Sequence, residues 1–415
     1  MSRVLDVYLH DVLAGQLVQG KGGALSFAYD GSYVEGGNLA LSISMPVQEQ
    51  GYDGTEVRAF FSGLLPDDIV RHRLAKYLGV SEKNPFSLLE VIGGECAGAL
   101  SLYPEGDKPS AAKDADIEIL DNQSLKEILD LLRRRPLLAG DDGLRLSLAG
   151  AQDKIAVGMK DGKITLVKGH TPTTHILKPL IEDIKDSVHN EVFCMRLAAM
   201  MGIDVPSVEI RWLGDTPYFL IERYDRIKTE AGKVSRLHQE DFCQAMGIMP
   251  DIKYEREGGP SVADCQTVLR ENSVRPAADN LRFLERVIFN YLIGNADAHG
   301  KNYSLLYTNA KPHLAPAYDL LCTRVYPELS IRMAMKIGKK YKPDDVFLRH
   351  WNRLVPDTKA AHKNLESQLV KMANHCVDKA EKLHSNFEAK GVKSEIFGDI
   401  IAVIKKRANH IKGDF

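Results

Sequence analysis

The stretch Gly294-Asn295-Ala296-Asp297-Ala298-His299-Gly300-Lys301-Asn302, followed downstream by Tyr318-Asp319, decides how this chain is read. It sets an Asp and an Asn in the order D-x-x-x-x-N and adds a second Asp beyond them. Moving a phosphoryl group from a nucleotide needs those three groups. One carboxylate faces the attacking hydroxyl, while an amide oxygen and a second carboxylate hold Mg²⁺ on the phosphates. The flanks fit a functional loop. Residues Phe283 to Ile293 are apolar on nearly every face, which predicts a buried helix. Tyr303 to Tyr307 predict a short strand. A polar loop between two buried elements is where function concentrates. Asp and Asn near Gly are also ordinary turn formers, so the rest of the chain has to support the reading.

The spacing matches the protein-kinase catalytic loop. The order Asp297-Ala298-His299 is similar to the loop of phosphatidylinositol kinases. The chain has 415 residues, enough for a large core and two or three domains. It is 44% hydrophobic and 27% charged, with a formal net charge of −2, so no global field draws it to nucleic acid or membrane. The six cysteines, Cys96, Cys194, Cys243, Cys265, Cys322 and Cys376, are scattered and form no C-x-x-C pair. That pattern argues against a zinc site or a disulfide framework and fits a reducing cytoplasm. The first residues lack a signal-peptide core, and no apolar run reaches the length of a membrane span.

Working outward, residues 3–46 predict β structure, with strand-like runs at Val4–His10, Gly15–Val18 and Ala24–Tyr29. Residues 55–92 predict helix, starting afresh at Pro66-Asp67-Asp68. Residues 105–116 are polar and predict a linker. From 143 to 226 the pattern is mainly β, with strands at Leu144–Leu148, Lys154–Met159, Lys163–Val167, Ile176–Lys178, Val208–Trp212 and Tyr218–Ile221. Asp161-Gly162 is a two-residue hairpin turn. One helix is expected from Val188 to Met201, capped by Gly202. After about 238 the chain reads as mostly helical, with an apolar stripe through Leu365, Leu369, Met372, Cys376, Ala380 and Leu383 and another through Ile396, Ile400 and Ile404. The expected fold is therefore α+β and bilobal, similar to protein and phosphatidylinositol kinases, with a β-rich N-terminal lobe and an all-α C-terminal lobe. The expected boundaries are 1–105 for an N-terminal module, 106–235 for a nucleotide-binding lobe and 236–415 for a helical lobe.

Three upstream features can serve a nucleotide. Ala149-Gly150-Ala151-Gln152-Asp153-Lys154 has small residues that let backbone N–H groups approach a polyphosphate, with Lys154 as a point charge; a plain hairpin loop is the competing reading. Lys178 ends the apolar run Thr174–Pro179 and needs an anion, which Glu191 in the next helix can supply, as in the kinase strand-Lys to helix-Glu pair. The alternative is an edge lysine reaching solvent. Glu222-Arg223-Tyr224-Asp225 leaves the sheet as a hinge able to offer backbone groups to adenine, although Arg223 and Asp225 also make a plausible ion pair.

Together these motifs resemble the HipA family of bacterial Ser/Thr kinases, the toxins of toxin–antitoxin pairs. The residues carrying the likeness are Ser147 to Lys154, Lys168 to Lys178, Asn190-Glu191, Glu222 to Arg226, Gln239 to Gln244, Gly258-Gly259-Pro260 and Gly294 to Asn302. Phe60 to Pro66 and Gly93 to Leu100 extend it into the N-terminal module. The resemblance implies Asp297 as catalytic base and Asn302 and Asp319 as Mg²⁺ ligands. It implies Ala149 to Lys154 and Lys178 around ATP phosphates, Glu222, Arg223 and Tyr224 at adenine, and His299, Gly300, Lys301 and Tyr318 lining the nucleotide site. It makes Ser147 an autophosphorylated serine, whose phosphate would repel the neighbouring phosphate-binding loop. It further implies an aminoacyl-tRNA synthetase substrate, such as glutamyl-tRNA synthetase, and growth arrest as the outcome. The implied partners are a HipB-like helix-turn-helix antitoxin and, through it, operator DNA. Lys336, Lys339, Lys340 and Lys342 form a basic cluster that reads equally as a DNA contact or a solvated loop. The catalytic loop differs from the common family pattern in carrying Ala296 and Ala298 around the Asp. Two competing functions are a catalytically idle corepressor and a small-molecule or lipid kinase; the intact set Lys178, Asp297, Asn302 and Asp319 favours an active kinase over the corepressor, and no basic amphipathic helix that would face phospholipid is evident, which lowers the lipid reading.

Overall fold

The computed structural model of the protein describes residues 2–109, 116–141, 143–228 and 233–414. The expected linker at 105–116 lies partly outside the described residues. The chain forms two compact units, each gathered from separate stretches: residues 1–179, 211–252 and 304–312 in the first, and 180–210, 253–303 and 313–415 in the second.

The first unit contains a four-stranded antiparallel sheet in the order Leu25–Tyr29, Val12–Gln19, Arg3–Leu9, Leu100–Pro104. Leu5, Val7 and Leu9 alternate onto its buried face, as a half-buried strand requires. Gly15 pairs with Tyr29, and a Cβ there would lie 2.1 Å from the Ala28 carbonyl oxygen, so only glycine fits the approach. Helices Thr55–Gly63, Asp68–Leu78 and Pro85–Ile92 replace the helical block expected at 55–92. The Phe60 and Phe61 rings meet at 90°, and Phe61 packs on Phe27 of the sheet.

A second sheet runs in the order Ile117–Ile119, Lys163–Val167, Ile155–Lys160, His175–Pro179, Thr216–Glu222, Val208–Leu213. Asp161 and Gly162 both have positive φ, 51° and 77°, the hairpin geometry that suits the right-handed strand twist. Leu144–Leu148 differs from expectation. Only Leu146 bridges, to Glu95, flanked by the bonds Glu95 N–H to Arg145 and Ser147 N–H to Glu95, while the Leu144 N–H turns back to the Asp141 carbonyl. His238–Asp241 is a strand that helical periodicity did not announce; it pairs antiparallel with Ser304–Tyr307.

The second unit is mainly helical: Ser187–Met201, Val262–Asn272, Pro276–Ile293, Lys359–Ala389 and Ile396–Lys412. The expected stripe on the long helix is buried throughout and continues to Phe387. Phe387 stacks on Phe397 at 4.9 Å, and Phe193 stacks on Phe397 at 5.1 Å, joining three helices. All six cysteines are free and buried. Burial pushes the Cys96, Cys322 and Cys376 thiols up to about 12. Among the described residues no helix is long and apolar enough to cross a membrane.

Candidate active site

The Asp/Asn loop of the second unit is built on the end of helix Pro276–Ile293. Gly294 stops that helix with φ of 72°, a conformation glycine adopts without a Cβ penalty. A Cβ at this position would also lie 2.7 Å from Val403 and 3.0 Å from Arg324. Buried Asn295 donates its side-chain amide to Asn290 Oδ1 at 3.0 Å and accepts the Asp297 N–H at 3.0 Å. Thr323 ties down the next peptide: its Oγ1 accepts the Ala296 N–H at 2.8 Å and donates to the Gly294 carbonyl at 3.1 Å. The loop is thus fixed by side chains before any ligand arrives, which is the preorganisation catalysis needs.

Beyond Asp297 the chain makes one tight 3₁₀ turn, Gly300–Asn302. His299 N–H donates to the Asn302 amide oxygen at 3.0 Å, and the Asn302 amide nitrogen donates to Asp319 Oδ2 at 2.6 Å. Asp319 sits at φ of 58°, a strained value for a residue with a Cβ, which turns its carboxylate to that partner. Tyr318 OH donates to the Lys301 carbonyl at 2.7 Å. His299, Gly300 and Lys301 are buried, Asn302, Tyr318 and Asp319 are half-buried, and Asp297 is exposed. The amide nitrogen faces the carboxylate; turned to an ion, the amide oxygen and the carboxylate belong to the hard-oxygen class from which Mg²⁺ bound with nucleotide phosphates takes its ligands. By donor type the residues fit a magnesium ion completed by phosphate oxygens and water, once the Asn302 oxygen leaves the His299 N–H.

The remaining candidate residues lie elsewhere. In the first unit, Lys154 Nζ donates to the Ala149 carbonyl at 2.6 Å across Gly150, whose φ is 111°. Gln152 donates to the Pro179 carbonyl at 3.1 Å, and Asp153 accepts from Arg73 at 2.7 Å. Ala151 is exposed at the tip. The Gly150 carbonyl accepts the Asp67 N–H at 3.1 Å, which fastens the loop to the N-terminal module. Lys178 is buried on a strand with neighbours on both sides, its ammonium 5.2 Å from the centre of the Phe219 ring. Ser147 has no exposed surface and donates to the Leu64 carbonyl at 2.7 Å. Glu191 belongs to the second unit, buried within Ser187–Met201.

Glu222 is exposed, whereas the Arg223 side chain is committed to a buried charge cluster. Arg223 contacts Glu95 at 3.1 Å and Asp225 at 2.9 Å, and Arg226 contacts Glu95 at 2.7 Å. Burial alone would raise the Glu95 carboxyl, but Arg236, Arg226 and Arg223 bring it down to about 2. Burial acts against Asp225 as well, yet Arg223 and Arg226 hold it far below the usual carboxylate range. The ion-pair reading of Arg223 and Asp225 is therefore what the geometry contains; Glu222 and Tyr224 keep their main-chain groups as the hinge candidates. The Tyr224 hydroxyl donates to Gln239.

Sequence reasoning missed Asn290, Thr323 and Tyr254. Tyr254 OH donates to Asp297 Oδ1 at 2.6 Å. None of the three stands in a motif. Asn290 sits inside an apolar helical run, where an interior Asn with no helical benefit was the available signal.

Two family models match the chain: the HipA N-terminal domain over residues 5–103 and the HipA-like C-terminal domain over residues 146–383. A protein of Sinorhizobium fredii, provisionally named as the kinase Y4mE, is 48% identical over 342 residues, 81% of each chain. A second protein of that organism, provisionally named as the kinase Y4dM, is 32% identical over 364 residues, 82% of each chain. The serine/threonine-protein kinase toxin HipA of Shewanella oneidensis is 29% identical over 355 residues, 83% of this chain and 80% of that one. The solved complex of HipA, HipB and operator DNA from Shewanella oneidensis contains a chain with a TM-score of 0.82, covering 99% of this chain and 97% of its own length at 24% identity. That likeness shows a shared fold.

Proposed function

We propose, from the premise that this chain belongs to the HipA family and is a kinase of the HipA type, that it transfers the γ-phosphoryl group of ATP to a serine or threonine hydroxyl of a protein. The observation that carries the reading is the Asn302–Asp319 contact of 2.6 Å, set on the same fixed loop as Asp297. The contact keeps the two side chains adjacent, and a turn of the Asn302 amide that frees its oxygen from the His299 N–H would give a nucleotide-bound cation two oxygen ligands.

In this reading Asp297 accepts the proton of the acceptor hydroxyl as its oxygen bonds to the γ-phosphorus. The bond between that phosphorus and the β,γ-bridging oxygen breaks, and ADP leaves with the electron pair. Asn302 and Asp319 would hold Mg²⁺, which neutralises charge on the β- and γ-phosphates when bound. Lys178 and the main chain of Ala149 to Lys154 are assigned to phosphate contacts, with Lys154 needing to release the Ala149 carbonyl to join them. The main chain of Glu222 and Tyr224 is assigned to adenine. His299, Gly300, Lys301 and Tyr318 are assigned to the nucleotide site, Glu191 to pairing with Lys178, and Ser147 to autophosphorylation.

The substrate we propose is an aminoacyl-tRNA synthetase such as glutamyl-tRNA synthetase, whose modification would arrest growth. The proposed partner is a HipB-like antitoxin, with operator DNA reached through the complex. The HipA, HipB and operator assembly of the structural relative supports both partners. The test is incubation with ATP, Mg²⁺ and a cell lysate, followed by phosphopeptide mass spectrometry. New phosphoserine or phosphothreonine on a synthetase is expected with the wild-type protein. With Asp297→Asn, transfer should fall roughly 10²- to 10⁴-fold, the usual yield of a general base. Equal labelling by both proteins would remove Asp297 from the role.

A further inference from the structure

Tyr254 approaches the second-unit loop from a segment with no motif of its own. Its hydroxyl donates to Asp297 Oδ1 at 2.6 Å. One peptide earlier, the Lys253 carbonyl accepts the Gly300 N–H at 3.4 Å, so the segment grips the loop on both sides of His299. The His299 ring itself meets the Tyr254 ring edge-on, centroids 5.2 Å apart at 89°.

The segment is rigid for reasons that lie on its other side. The Tyr254 carbonyl accepts the N–H groups of Glu257 and Gly259, both at 2.9 Å, and Gly258 closes the turn at φ of 103°. The Ala334 peptide is a strap between segment and loop: its N–H donates to the Ala296 carbonyl at 2.8 Å, and its carbonyl accepts the Glu255 N–H at 3.2 Å. Glu255 also accepts the Lys336 N–H at 2.5 Å and pairs with the Lys336 ammonium at 3.3 Å. Arg256 lies 5.2 Å from the centre of the Tyr254 ring and helps hold its face.

We infer that Tyr254 is a positioning residue for phosphoryl transfer. It holds the Asp297 carboxylate in the orientation that receives the acceptor proton. The inference rests on the proposed kinase function of the same loop. Asp297 is exposed, and an exposed aspartate on a loop samples several side-chain rotamers. A phenol fixed by backbone bonds, an edge-on ring and a cation selects one of them. Misplacing a catalytic group by an ångström costs far more in rate than in substrate binding.

The test compares Tyr254→Phe with Tyr254→Leu in the full-length protein. The Phe variant keeps the ring against His299 and loses only the hydroxyl. It should lower kcat roughly tenfold, about the value of one hydrogen bond to a charged group, with KM for ATP unchanged. If the ring alone mattered, Phe would behave as wild type and only Leu would be impaired; that result overturns the inference. A second readout needs no activity: the ¹³C carboxyl resonance of Asp297, assigned with Asp297→Asn, should move in Tyr254→Phe at neutral pH. An unmoved resonance overturns the contact itself. A moved resonance with full kcat overturns its role in transfer. Wild-type protein that transfers no phosphate under any condition defeats the kinase reading and the positioning role with it, while the resonance still decides whether phenol and carboxylate are coupled.

Discussion

At the scale of residues, the second-unit site is a set of short side chains, each made single-valued by a neighbour. Asn295 locks the backbone of Asp297, Thr323 locks Ala296, and Asp319 is turned by its own strained backbone toward Asn302. Removing one of these groups should therefore act locally. Asp319→Ala should weaken Mg-ATP binding, because the bridging cation loses its carboxylate ligand. Asn302→Ala should act in the same direction and more mildly, since an uncharged oxygen is lost. Calorimetric titration with Mg-ATP measures both, and unchanged affinity in the two variants would take them out of a metal site. In the reverse direction, Asp319→Gly should relieve backbone strain and still lose the nucleotide, which separates the ligand from the conformation.

At the scale of elements, Ser147 sits in a segment that is extended without being a strand. Its hydroxyl is buried against the Leu64 carbonyl. A phosphate there would carry a charge of about −1.5 to −2 into a place with no room for it, so the segment has to leave its site to be modified and cannot return afterwards. Incubation with Mg-ATP should yield a phosphopeptide containing Ser147, and ATP affinity should fall as it accumulates. Ser147→Ala should escape that loss. An active kinase with no phosphate on Ser147 after prolonged incubation would sink the switch and leave the kinase assignment standing. Legibility divides along the same line between local and distant causes. The hairpin at Asp161-Gly162, the glycine stop at Gly202 and the stripe from Leu365 to Leu383 are periodicity and turn chemistry, and they were readable. The place of the loop from Asp297 to Asn302, between a buried helix and a short strand, was readable from its flanks. Leu144–Leu148 has strand composition but finds one partner residue, Glu95, and composition cannot count partners. Tyr254 reaches Asp297 from 43 residues away, a separation across which no periodic pattern operates.

At the scale of the whole molecule, the three stretches composing the first unit converge on one carboxyl group. Glu240 comes from the middle stretch. It accepts from Ser42 and from the Ile43 N–H, at 3.1 Å for the latter, both in the first stretch, and from the Tyr307 hydroxyl in the third. Burial pushes Glu240 up to about 7 in spite of these donors. A carboxyl whose folded value is raised stabilises the fold fully below its unfolded value near 4.5, and that contribution is lost as pH rises through about 7. His238 on the same strand works in the opposite sense. Burial lowers it to about 4, so its contribution is present above 6.5 and lost as pH falls through about 4. The difference between wild type and Glu240→Gln isolates the carboxyl. That difference should shift against the wild type between pH 5 and pH 8, by on the order of 2–3 kcal/mol. Chemical denaturation at a series of pH values measures it, and parallel curves for the two proteins would show that Glu240 keeps an ordinary affinity for its proton.

The six buried thiols give the protein an internal stopwatch. Cys96 and Cys243 belong to the first unit, and Cys194, Cys265, Cys322 and Cys376 to the second. Cys96, Cys322 and Cys376, held near 12, carry almost no thiolate at neutral pH, and all six cysteines are buried in the folded units. An alkylating reagent would thus record openings instead of surface reactivity. Peptide-resolved labelling over time would clock each unit separately, using reporters the chain already carries.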